Sequence, residues 1–206
     1  MDLLTVENEY FTNGYRAVAG VDEAGRGPLA GPVVCAAVIM PLDEAKRIIG
    51  VNDSKKLSAK KREFLAEKIR ETALAYAIEE VDEGTIDEIN ILQATRLGMK
   101  RAIERLSPAP DFVLTDGNMT LDIAYPQKSV VKGDALVYSI GAASILAKTH
   151  RDALMKKYAG EFPEYGFERH AGYGTAAHIK AIGEYGICRI HRRTFVAKFW
   201  DGRERI

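Results

Sequence analysis

The chain has 206 residues, 47% hydrophobic and 28% charged, with a formal net charge of zero at neutral pH. That composition fits one folded domain, excludes a disordered or collagen-like chain, and means that any polyanion must be met by a local basic patch. No apolar run reaches membrane-spanning length, the opening M-D-L-L-T-V-E-N-E-Y lacks the order of a secretory leader, and Cys35 and Cys188 follow no metal or redox spacing, so a soluble protein of the reducing cytoplasm is expected.

In chain order, residues 1 to 16 read as a polar, irregular lead-in. Next comes V-A-G-V-D-E-A-G-R-G-P-L-A-G-P-V-V-C-A-A-V-I-M, with Val- and Ile-rich runs on either side of a glycine-arginine-glycine-proline turn. Such runs bounded by Gly and Pro predict buried strands over 17–22 and 32–40, the second returning beside the first. In V-N-D-S-K-K-L-S-A-K-K-R-E-F-L, Ser58 is placed to cap a helix reaching about residue 72. A strand is expected over 75–81. Apolar residues at helical spacing predict a helix over 87–106, which S-P-A-P stops. D-F-V-L-T-D-G-N predicts a strand ending in an acid and a turn, and another short strand near 129–131 runs into K-G-D. Residues 135–158 read as one long helix, with Gly141, Ala142, Ala143 and Ser144 small enough to pack closely on a sheet, and a further helix is expected over 176–185. Strands mixed with helices, without repeats or linkers, predict an α/β layer structure with helices covering a central sheet.

Asp22 and Glu23 stand side by side at the end of the first strand, Asp116 ends a later one, and Asp134 precedes the long helix. Strand ends are where open α/β sheets build sites. Alternation puts neighbours on opposite faces, so Asp22 and Glu23 converge only if the strand gives way to a turn at Glu23, which Gly25 permits. Carboxylates about 5 Å apart repel by roughly 3 kcal/mol at an effective dielectric of about 20, so such a cluster needs protons or cations. Oxygen donors without His or Cys select Mg²⁺ or Mn²⁺ over zinc, and a pair of such ions can activate a water and stabilise a leaving oxygen in phosphodiester cleavage. Capping and solvation also explain acids at strand ends, and spacing alone leaves both readings open. G-R-G-P-L-A loosely fits a dinucleotide-binding turn, but a strand-like segment follows it and the adjacent acids would repel a pyrophosphate.

Over nearly its full length the chain resembles the bacterial ribonuclease HII family, the type 2 ribonucleases H. The resemblance rests on V-A-G-V-D-E-A-G-R-G-P-L-A-G-P, N-D-S-K-K-L, F-V-L-T-D-G-N, V-K-G-D-A, G-A-A-S-I-L-A-K-T-H-R-D, H-A-G-Y-G-T and H-R-R-T-F, in the family's order. It implies a ribonuclease H-like fold, a mixed five-stranded sheet flanked by helices, with a small helical C-terminal region. It also implies hydrolysis of the RNA strand of RNA–DNA hybrids and incision 5′ to single ribonucleotides in duplex DNA, leaving 5′-phosphate and 3′-hydroxyl ends. Asp22, Glu23, Asp116 and Asp134 match the family's metal-binding catalytic acids, implying a pair of Mg²⁺ or Mn²⁺ ions in the working complex.

Further residues take meaning beside that resemblance. Gly25, Arg26 and Gly27 form a turn whose backbone can approach a minor groove, where the 2′-hydroxyl is the sugar difference to be sensed. A site built around a hydroxyl rejects the analogue lacking it by about 10⁴–10⁵. Tyr173, flanked by Gly172 and Gly174, matches the family tyrosine that packs on the sugar of the next deoxynucleotide; a core tyrosine is the rival reading. Lys55, Ser144 and Lys148 are candidate phosphate contacts. Arg189, Arg192, Arg193, Lys198 and Arg203 make the densest basic region and could track a phosphate backbone. Asp152 is a poor fifth ligand, because a continuous helix would carry it up to about 27 Å from Asp134. His191 is expected to bond locally, and Asp43, Asp53, Asp87 and Asp122 to cap. The expectation is a single catalytic domain over 1–206, with about 160–206 as a substrate-binding region, acting as a monomer without an obligate protein partner. The alternative is a non-catalytic RNA–DNA hybrid-binding module, which would keep the basic surface but lack one of the acids.

Overall fold

A computed structural model describes residues 5–41, 43–200 and 202. Its centre is a five-stranded sheet of β1 (Val18–Ala24), β2 (Val33–Ile39), β3 (Ala75–Val81), β4 (Phe112–Asp116) and β5 (Gln127–Val130), in the order β3-β2-β1-β4-β5. β1 and β2 form an antiparallel pair, as do β2 and β3, whereas β1–β4 and β4–β5 are parallel. The sheet is therefore mixed. β2 is buried at every position, and each Val or Ile that it removes from water contributes roughly 1.5–3 kcal/mol.

Helices cover both faces, as a two-faced buried sheet requires. One face packs α3 (Glu83–Glu104), with Ala94, Met99, Ala102 and Ile103 against Val21, Cys35 and Ala37. The other takes α2 (Ala59–Thr72) and α5 (Tyr138–Glu161), whose Tyr138, Ala142, Ala143 and Leu146 meet Val34, Ala36 and Val38. Glycines set the spacing: a Cβ at Gly20 would overlap the Ser139–Ile140 backbone, and one at Gly98 would lie 2.7 Å from Cys35 Sγ. The small residues expected at 141–144 are all buried, Ala142 and Ala143 among the sheet residues and Gly141 close to Val51 and the Asp134 carbonyl.

Ser58 caps α2, accepting from the Lys61 N–H, and the β3 and 176–185 boundaries are as expected. α3 starts earlier than the apolar pattern suggests because Asp82 accepts the Thr85 N–H at its start. Asn90, at φ +65°, kinks it and restarts it by accepting from the Leu92 and Gln93 N–H groups. Two expectations need correction. Residues 1 to 16 are not irregular throughout: Thr5–Thr12 form α1, held by Tyr10 against Phe112 and by buried Glu7, which accepts from the Ser139 N–H and hydroxyl. The helix expected over 135–158 is two helices, α4 (Gly133–Leu136) and α5, separated by Val137 in an extended conformation. Beyond α5, α6 (Phe167–His170), α7 (Ala176–Tyr185) and α8 (Arg193–Val196) share an apolar cluster with Leu29, Ala30 and Met155. An Ala30–His191 bridge, with bonds from Leu29 N to Gly172 O and from Arg192 N to Leu29 O, fastens this region to the loop after β1.

Candidate active site

The parallel pairing of β1 with β4 aligns Val21 with Thr115, so Asp22 and Asp116 follow in step at the carboxyl ends of neighbouring strands. Residues in step on parallel strands share a face, here the face under α5. The break at Val137 then matters: α4 carries Asp134 to the same place, and carboxylate oxygens of Asp22, Asp116 and Asp134 lie within 4.8 Å of one another. Asp116 Oδ1 accepts from the N–H of Gly133 at 2.7 Å and of Asp134 at 3.4 Å. Burial pushes the Asp22 carboxyl well above its ordinary range, with the charges of Glu23 and Asp116 adding to it; bonds from the Ser144 hydroxyl and the Glu23 N–H offset part of the rise. Asp134 is raised by burial and then by Asp116. These oxygens are all carboxylate, crowded and short of positive charge, which is what a divalent cation requires of its donors. The acids present fit such an ion.

Glu23 lies inside β1, paired with Cys35, rather than at a turn. Its side chain therefore starts from the opposite face, and it is not among the acids that come within 4.8 Å of each other. It meets Arg26 at 3.5 Å. Burial raises its carboxyl, Arg26 opposes that, and Asp116 is close enough to add to it, so Glu23 borders the same field.

A cleft of about 250 Å³ opens beside the acids, and Glu23, Gly25, Arg26, Gly27, Lys55, Ser144, Lys148 and Tyr173 all contribute to its wall. Gly25 sits at φ +95°, a conformation that favours glycine, and a Cβ there would overlap the Arg151 side chain. A Cβ at Gly27 would touch Tyr173 Cε1 at 3.6 Å. Tyr173 is 48% exposed, so it is no core tyrosine. The segment after the turn is strand β2, which disposes of the dinucleotide-binding reading. Lys55 stands in the field of the acids: burial lowers its pKa, but Asp134, Asp22, Asp53 and Asp116 outweigh this and raise it. Ser144 is buried, 2.9 Å from the Ser54 hydroxyl.

Some candidates lie elsewhere. Asp152 is held by Arg62 and Lys148, at 3.1 and 2.5 Å, and is not among the acids that converge. His191 bonds His178 and the Cys188 N–H, as expected of a packing residue. Asp53 and Asp43 accept nearby backbone N–H groups and Asp122 pairs with Lys100, whereas Asp87, within α3, caps α8 through the Arg193 and Thr194 N–H groups. The basic region does not form one exposed track. Arg192 is buried against backbone carbonyls, Arg189 pairs with Glu161, and Arg203 lies outside the described residues. Ser54 and Arg151 line the cleft and were not singled out from the sequence. For Arg151 a signal existed: Ser144, Lys148 and Arg151 recur at the spacing that lines up one helix face.

The family model described as ribonuclease HII matches residues 19–199. A ribonuclease HII of Pelodictyon phaeoclathratiforme is 57% identical over 184 residues, covering 86% of this chain and 88% of that protein. One from Endomicrobium trichonymphae is 53% identical over 195 residues, covering 94% and 92%. The crystal structure of ribonuclease H2 from Pyrococcus horikoshii superposes with a TM-score of 0.76 at 29% identity, covering 89% of this chain and 97% of that one. With the sheet order and the acids of β1, β4 and α4 as described, these matches establish that the chain belongs to the ribonuclease HII family.

Proposed function

We propose that this endoribonuclease cuts the RNA strand of RNA–DNA hybrids and incises duplex DNA 5′ to single embedded ribonucleotides, leaving 5′-phosphate and 3′-hydroxyl ends. One observation carries the reading: Asp22, Asp116 and Asp134 converge beside a cleft whose wall also holds Gly25–Arg26–Gly27 and Tyr173. Asp22, Asp116 and Asp134, with Glu23 at the border, would hold Mg²⁺ or Mn²⁺, for which all-oxygen donors are suited. Such ions supply Lewis acidity at the phosphate and activate water as a nucleophile.

The protein's own groups do the rest. Lys55, Lys148 and Ser144 would meet phosphate oxygens, the lysines countering charge that the acids would otherwise repel. The backbone of the Gly25–Gly27 turn would bond the 2′-hydroxyl, and Tyr173 would pack on the sugar that follows, where an added hydroxyl would crowd its ring. In the region from about 160 onward, the exposed loops around Gly172 and Ile190, fastened to Leu29 and Gly31, would grip the duplex. Cys35 and Cys188 are buried and not joined in a disulfide, which supports work in a reducing compartment such as the cytoplasm. No described helix is long and apolar enough to cross a membrane.

The test is a cleavage assay on duplex DNA bearing one ribonucleotide and on a matched RNA–DNA hybrid, with Mg²⁺, Mn²⁺ or chelator. Cutting with either ion, none with chelator, and the stated ends are expected. Failure to cut both substrates in either ion overturns the reading.

A further inference from the structure

Arg192 is fully buried, and every hydrogen bond its guanidinium makes goes to a backbone carbonyl: Nε and Nη2 to Gly31 O at 2.9 and 2.7 Å, Nη1 to Arg26 O at 2.9 Å, and Nη2 to Gly25 O at 2.5 Å. Among the described residues no carboxylate forms an ion pair with it; Glu83 and Asp87 act on it only at longer range. Burial and then neighbouring Arg151 bring its pKa down to about 9, so it remains cationic at neutral pH. A buried cation without an ion partner is expensive, and filling space alone does not call for one. Packing therefore does not explain the residue.

The carbonyls it holds point to a different role. The Gly25 carbonyl shares a peptide unit with the Arg26 N–H, and the Arg26 carbonyl with the Gly27 N–H. Hydrogen bonds polarise the groups they join, and a charged donor does so most strongly. Arg192 thus makes both N–H groups better donors, and among the described residues neither is given to another backbone group. It also fixes the planes of peptides flanked by glycine, which have the most freedom to lose. Phe195 lies under the guanidinium at 5.1 Å and completes its seat.

We propose that Arg192 is a positioning residue for ribose discrimination, holding the Gly25–Arg26–Gly27 peptides in place and strengthening their N–H groups as donors to a 2′-hydroxyl. The proposal rests on the reading of that turn as the sugar sensor and adds to it the group that gives the turn its shape and polarity.

Arg192→Lys keeps the charge but replaces a planar fork with a point donor. We expect kcat/KM on duplex DNA with one ribonucleotide to fall about tenfold or more, as for a lost charged hydrogen bond. The Kd for the all-deoxy duplex, measured with chelator, should change less than about twofold. Tyr165→Phe, which removes a hydroxyl bond to Gly186 O in the same apolar cluster, serves as the control for general loosening and should leave both values near wild type. Equal losses for Arg192→Lys on both duplexes, or a selective loss also in Tyr165→Phe, would overturn the proposal. Should Arg192→Lys not fold, Phe195→Leu takes its place; it retains the guanidinium but removes the ring beneath it, and a smaller selective loss is expected, with no selective loss counting against the proposal. Wild-type enzyme that cuts the hybrid but shows no preference for the ribonucleotide duplex over all-deoxy DNA would instead overturn the reading of the turn itself.

Discussion

Asp116 Oδ1 accepts the Gly133 backbone N–H at 2.7 Å, tying the acid that ends β4 to the turn that carries Asp134. One carboxylate thus both enters the anionic group and fixes the position of another member. The bond runs to an anion, which makes it stronger than a neutral one.

That dual role separates charge from scaffold. Asp116→Asn retains an Oδ1 acceptor for Gly133 while removing the negative charge. Cleavage should fall by more than ~100-fold, beyond the loss typical of an outer-shell change, while hybrid affinity and melting temperature stay close to wild type. Single-turnover assays with binding and melting curves check this; wild-type turnover would contradict the assignment.

Gly20 faces backbone rather than a flexible side chain, so a methyl group there cannot be accommodated by a rotamer change. Gly20→Ala should push α5 off β1 and lose about 3 kcal/mol or more, at the upper end of overpacking effects. Urea denaturation measures it. A loss under 1 kcal/mol would mean that α5 shifts freely.

Tyr173→Ala should reduce the preference for an RNA–DNA junction more than it reduces overall affinity. The ring is 48% exposed, so its loss leaves no core cavity. Comparing kcat/KM on a single embedded ribonucleotide with that on a continuous hybrid checks this, and equal losses on both would remove the role from Tyr173.

His178 and His191 are buried and joined Nε2 to Nε2 at 3.0 Å. The Cys188 N–H donates to His191 Nδ1, so the network assigns the His191 proton to Nε2, which leaves His178 Nδ1–H to donate to Tyr173 O. Burial lowers their pKa values to about 4 and about 3 from the ordinary 6.5. The unfolded chain therefore takes up protons that the folded one refuses. Their stabilisation is complete above pH 6.5 and is lost as pH falls towards 4, a change on the order of 3 kcal/mol for His178. Urea midpoints between pH 7.5 and 4.5 should fall less steeply for His178→Asn than for wild type. Parallel curves would mean that the histidine keeps its ordinary pKa.

Much of this architecture was legible from local chemistry. Ser58 had a hydroxyl and a helical pattern behind it, and β2 had an unbroken Val- and Ile-rich run. α1 was not legible, because Tyr10 and Glu7 find their partners, Phe112 and Ser139, far along the chain. Nor was the break at Val137, since Ala135 through Tyr158 has acceptable helical residues throughout; the extended Val137 is decided by the packing of α4 beside β4 and of α5 across Gly20. Arg192 looked like part of a basic surface for the same reason. A count of positive charges cannot tell a side chain that meets solvent from one that points at carbonyls.

The chemistry of the site was set by composition and order: carboxylates at strand ends, glycines where φ must be positive, and motifs that name a family. Those are properties of short segments, and short segments keep them in any context. Which acids meet was decided only in three dimensions. Parallel register aligned Asp22 with Asp116, the break before α5 brought in Asp134, and strand alternation set Glu23 to the side. Proximity between residues a hundred positions apart depends on packing, and packing is a property of the whole chain.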